Sequence, residues 1–157
     1  MAASPIRVIF AAGALAGALD ITAAFIHAGS HGTLPVAVLK FVASGVLGTA
    51  SFGYGPWAAA LGLLLHFLIA LIWAAIFYAA SRKLAFLVEH PAISGALYGV
   101  LVHILMQQIV VPLSLTPPLR PDTTWWNPAI RYLIHIFCVG LPIALTVARF
   151  RRRSSSS

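Results

Sequence analysis

The chain has 157 residues, 61% hydrophobic and only 8% charged, with a mean hydropathy of +0.95. Soluble domains carry about a quarter charged residues, so this composition excludes a water-soluble globular domain and describes an integral membrane protein partnered by the lipid bilayer. The net charge of +7 does not point to nucleic acid, because the cations gather at Arg7, Arg82-Lys83 and Arg149 to Arg153, each at the end of an apolar run, with no interleaved aromatics.

The first apolar run, about 7–27, can cross about 30 Å of hydrocarbon at 1.5 Å per residue. Gly13 and Gly17 form a Gly-x-x-x-Gly pair that bares one helix face for close packing. Asp20 and His27 continue that stripe, which puts a carboxylate on the packed face. A basic residue, an apolar core and small residues at Ala16 to Ala18 also fit a cleaved signal peptide, but the apolar pattern runs on to Ile26 and favours a spanning helix.

The next stretch, about 34–52, is apolar but carries Lys40, Ser44 and Ser51 and ends in the turn Gly53-Tyr-Gly-Pro56. Counted as a span, it makes five helices and puts Arg82-Lys83 across the membrane from Arg7. Left out, it gathers every cationic cluster on one side, as the positive-inside rule favours. A short re-entrant or interfacial helix is therefore expected here.

Spans follow at about 57–80 and 93–113, with His66 on the small-residue stripe of one and Gly95, Gly99, His103 and Gln107 on a stripe of the other. The connection "PLSLTPPLRPDTTWWN" at 112–127 is held extended by Pro117, Pro118 and Pro121. Trp57 and Trp125-Trp126 mark an aromatic belt. Ser114 lacks a partnered base and reads as a loop or cap residue, while His27, His31 and His90 read as interface residues. The last span, 128–148, carries Arg131, His135, Cys138 and Pro142, and 154–157 is a polar tail expected to be disordered. A single cysteine excludes an internal disulfide. The expectation is one all-α integral membrane domain over 1–153, a four-helix polytopic bundle in a bacterial cytoplasmic membrane with both termini cytoplasmic.

An internal echo runs through it. "GALAGALD" at 13–20 matches "GALYGVLV" at 95–102, and "LLLHFLIAL" at 63–71 matches "YLIHIFCVG" at 132–140. Matching helices point the same way, as in a parallel duplication of a two-helix hairpin.

Asp20, His66, His103 and His135 lie seven to nine residues from the outer ends of their helices, about 10–14 Å deep. Four helices thus offer an ionisable group at one level, and one or more of the histidines would hold Asp20. Three functions compete. The first is a small transporter or proton-responsive protein that uses this layer. A b-type haem between His66 and His135 or His103, with Met106 as a further ligand, or a divalent metal, is a weaker second. The third is a structural or accessory subunit, in a homo-oligomer or membrane complex, whose polar layer fixes helix register. No Gly-rich phosphate loop, His-Glu-x-x-His or Gly-x-Ser-x-Gly occurs, so neither an enzyme nor a cofactor is expected.

The segments "AGALDITAAF", "LHFLIALIWAAIFYAASRKL" and "HPAISGALYGVLVHILMQQIVVPLS" resemble small bacterial inner-membrane proteins of the YagU-like kind, over residues 10 to 148. The resemblance implies an inner-membrane location and no assigned activity; a link to acid tolerance in one member of that group fits a proton-sensing histidine layer loosely.

Overall fold

A computed structural model of the protein describes residues 4–118 and 128–155. It is all helical, with no strand among the described residues. Four helices are long and apolar enough to cross a membrane: Pro5–Gly29, Pro56–Ser81, Pro91–Leu113 and Ala129–Arg152. The helix Pro35–Leu47 measures about 20 Å, too short to cross. Trp125-Trp126, Pro121 and the rest of the expected belt and loop at 119–127 lie outside the described residues.

Prolines set the starts. Pro5, Pro35, Pro56, Pro91 and Pro128 each open a helix, where a missing N–H costs no hydrogen bond and the fixed φ already suits the helix. The stretch expected as one element over 34–52 is two helices, Pro35–Leu47 and Ala50–Gly53, because Gly48 between them takes φ 60°, a conformation open to glycine. Lys40 donates to the carbonyls of Phe52 and Tyr54 and closes that turn. The final helical segment, Leu141–Ser155, runs past the expected end of its span and takes in Ser154 and Ser155 of the tail expected to be disordered.

Two prolines stand inside spans, and both leave the same mark. Ahead of Pro112 the helix widens into a π-helical turn, Met106–Val110, closed by Val111 N–H donating to Met106 O. Ahead of Pro142 a second, His135–Gly140, is closed by Leu141 N–H donating to Ile136 O. A proline removes one backbone donor and crowds the carbonyl four residues back; a five-residue bond at the preceding residue absorbs both effects.

The spans form two antiparallel hairpins. In the first, a Cβ at Gly13 would fall 2.9 Å from Leu71 Cα, and one at Gly17 would fall 2.8 Å from the Phe67 ring. In the second, a Cβ at Gly99 would fall 2.6 Å from His135 O, and Gly95 lies against Leu141 and Ala144. Gly140 meets Gly95 and Gly99 from the opposite side, and Gly62 gives the short helix room at Leu39. The first and fourth spans join the hairpins.

Val8, Ala12 and Ala16 of the first span pack with Phe77, Ile143 and Val147 in a core that fills the half of the bundle nearest the termini. On the outside, Leu64, Leu68, Ile72 and Ile76 form an exposed ribbon at four-residue spacing. That surface is stable in lipid and a liability in water. Both termini lie at one end, where Arg151 donates to Ser81 O, and Arg152 donates to Val88 O at 3.0 Å and Glu89 O at 3.2 Å. Cations here neutralise helix C-terminal carbonyls.

The glycine contacts generate a prediction. Gly99→Ala should lower stability by about 1–3 kcal/mol through overpacking, read as a shifted unfolding midpoint in mixed micelles. Gly29→Ala, with nothing within 4 Å of its would-be Cβ, should leave that midpoint in place.

Candidate functional site

The half of the bundle away from the termini encloses a cavity of about 340 Å³. Its wall draws on all four spans and the short helix: Asp20 and His27 from the first, His66 and Trp73 from the second, Met106 and Gln107 from the third, Arg131 and His135 from the fourth, Phe41 and Val42 from the short helix. Along the first span it runs from Ala16 to Ala28, about 18 Å of helix. Its floor includes Val102 and Val139, members of the core, and Tyr98 donates to Trp73 O at 2.7 Å just beneath it.

The four ionisable groups of the expected layer fall into two couples. Asp20 Oδ2 lies 4.0 Å from His66 Nε2. That nitrogen donates at 2.9 Å to Gly17 O, because the Gly17 contact brings the second span's side chains down onto the first span's backbone. A carbonyl only accepts, so His66 carries its hydrogen on Nε2. Asp20 receives no hydrogen bond among the described residues.

The second couple is His103 and His135, with Nδ1 atoms 3.4 Å apart and rings edge-on at 4.8 Å. His135 Nδ1 donates to Arg131 O at 2.9 Å, which puts the hydrogen on His135 Nδ1, so His103 Nδ1 at 3.4 Å is an acceptor that can only share that hydrogen. His103 is 4% exposed and lies against the Tyr132 ring at 4.0 Å. It therefore stands behind His135, off the cavity wall, and is no neighbour of Asp20.

The sequence puts Arg131 on the stripe of the fourth span that carries His135, but the expected ionisable layer did not include it. It lines the same cavity as Asp20, close enough for the two charges to attract. The signal was present, since Arg131 lies one turn from His135 on one stripe of the fourth span. His27, read as an interface residue, also lines the cavity, and its ring meets that of His31 at 5.1 Å between centroids. Ser114 caps a turn, donating to Val111 O at 2.7 Å and pairing at 2.8 Å with the hydroxyl of Thr116, which supplies the hydrogen of that second bond.

Among the described residues, no three His, Cys, Asp or Glu groups converge as a metal site. The haem alternatives lose His103, sealed between His135 and Tyr132, and His66 Nε2 is already committed to Gly17 O. Compared with family models, curated proteins and solved structures, the chain shows no match.

The His66 to Gly17 bond ties the first hairpin. His66→Leu should cost about 0.6–1.7 kcal/mol, the range for a hydrogen bond between membrane helices, measured by unfolding in mixed micelles; an unchanged midpoint removes the strut.

Proposed function

We propose that this chain is a small membrane transporter or proton-responsive membrane protein whose working groups are Asp20, His66 and His135, joined by Arg131. The observation that carries this is a carboxylate with no hydrogen-bond donor among the described residues, 4.0 Å from an imidazole and lining one cavity inside the bundle with a guanidinium. An ionised aspartate at mid-membrane costs about 2.5–3.5 kcal/mol. Arg131 offsets part of that cost, and proton uptake by Asp20 would remove it. The protonation state of Asp20 thus changes the charge of the cavity, which is what couples a proton to a bound solute or to a change of conformation.

Phe77, Ile143 and Val147 seal the half near the termini at 1% exposure or less. Access from that side would require one hairpin to rock against the other, and the joint between the first and fourth spans includes the small side chains Ala12, Ala16 and Ala144 beside Val8, Ile143 and Val147. The reading assigns no bond-breaking step to any residue, and the activity proposed is not enzymatic. We also propose a bacterial cytoplasmic membrane as its home and kinship with the YagU-like proteins. Arg7, Arg82, Lys83 and Arg149, exposed at the end that holds both termini, support a cytoplasmic position for that end.

A second reading rests on the interhelix bonds of His66 and the His103–His135 couple: an accessory subunit in which these groups only fix helix register. Proton flux separates the two. In liposomes with a pH dye inside, the wild-type protein should dissipate an imposed proton gradient several-fold faster than Asp20→Asn. Equal rates with only a shift in stability would retire the transport reading and favour the accessory one.

A further inference from the structure

The cavity is larger and more apolar than a proton path needs. At about 30 Å³ per water, 340 Å³ holds about eleven waters, and small-molecule pockets begin near this size. Trp73, Phe41, Ile69 and Val42 make most of its wall apolar, whereas a proton relay needs a continuous line of hydrogen-bonding groups. A cavity of this kind fits a solute with an apolar body.

Its charges decide the rest. A lone carboxylate would select a cation, but Arg131 on the same wall repels one. A lone guanidinium would select an anion, but Asp20 repels that. With one charge of each sign among the described residues of the wall, the favoured occupant is net neutral and dipolar. Further groups among the described residues line the cavity with polar atoms uncommitted, among them Gln107, whose amide makes no hydrogen bond among the described residues, and His135, whose Nδ1 is spent on Arg131 O while Nε2 is not. His66 offers no donor there, since its Nε2 hydrogen is held by Gly17 O, and leaves only Nδ1 as an acceptor.

We propose that the cavity binds a zwitterionic α-amino acid with an apolar side chain: its carboxylate on Arg131, its ammonium on Asp20, its side chain against Trp73 and Ile69. Arg131 presents five donors in a planar fork, which matches a carboxylate and leaves donors for other neighbours. The inference rests on the solute-carrying reading above and names its substrate class.

The test uses the full chain in lipid nanodiscs with radiolabelled phenylalanine as the probe. Saturable binding is expected, with phenylalanine methyl ester (no carboxylate) and N-acetylphenylalanine (no ammonium) each competing at least tenfold more weakly than phenylalanine. Asp20→Asn should weaken phenylalanine at least tenfold while barely changing N-acetylphenylalanine, and Arg131→Gln should do the same with the methyl ester spared. If either variant fails to fold, the ligand series on the wild-type protein decides alone. A methyl ester that competes as well as phenylalanine makes this a cation site and overturns the inference; so does an N-acetyl form that competes equally. Absence of binding alongside Asp20-dependent proton flux overturns it too and leaves the proton-linked reading standing. Selective binding without Asp20-dependent flux upholds the zwitterion site and removes the proton link.

Discussion

The close approach of helix backbones at glycine is the constraint on which the rest of this molecule depends. In lipid there is no hydrophobic force to hold two apolar helices together, so packing area and interhelix hydrogen bonds must do it. Gly13 and Gly17 let the second span lie directly on the first, and Gly95, Gly99 and Gly140 seat the fourth span on the third. These contacts also set register. Once Gly17 touches Phe67, His66 must arrive beside Gly17 O and Asp20 one turn further. Once Gly99 touches His135 O, the His135 ring must arrive beside His103. The polar groups meet because small residues below them fix where they can be.

Above the glycines the bundle changes character. Near the termini, Phe77, Ile143 and Val147 fill the space between hairpins completely. Toward the other end the short helix Pro35–Leu47 joins the cavity lining, pinned to the second span at Gly62 and to the turn after the third by Leu115 N–H donating to Gly45 O at 3.0 Å. A helix too short to cross the membrane is thus part of the cavity wall. The π-helical turns act at the same level: Met106, Gln107 and His135 all lie within them and all line the cavity. Widened turns re-aim side chains that a regular α-helix would carry round toward lipid or core.

The four-span count was legible because charge settles what hydropathy leaves open. Lys40 and the cationic clusters decide against a fifth span, and the broken, too-short helix at that place agrees. The helix starts were more legible than the run lengths suggested, since five prolines mark them; their N-terminal preference is a local backbone property that needs no tertiary information. The packing glycines of the first and third spans follow from spacing. Gly140 and Gly62 do not, because each has a single partner surface supplied by a distant segment. The pairing within the polar layer was equally hidden. Depth can be counted along one helix, but which side chain faces which depends on rotation about two helix axes, and Pro142 rotates the fourth span by inserting a π turn at His135 itself. Arg131 was missed for a related reason: its meaning depends on whether the turn it occupies faces Asp20 or the bilayer edge, and only packing against the first span decides that.

The two hairpins repeat one construction and depart from each other at one informative place. Each has a Gly-x-x-x-Gly pair, an ionisable residue on the next turn, and a histidine from the partner helix brought against it. In the first hairpin the ionisable residue is Asp20, and it opens onto the cavity. In the second it is His103, and it is sealed. A buried imidazole can remain neutral and be satisfied by His135, whereas a carboxylate in the same position would need either a proton or a cation. The aspartate therefore sits where the fold provides space and a guanidinium, and the histidine sits where it provides neither. If both hairpins carried a carboxylate, Arg131 alone would have to balance two negative charges at one depth in the membrane. With one carboxylate and one neutral couple the layer balances, and a single cavity can serve as the site of exchange.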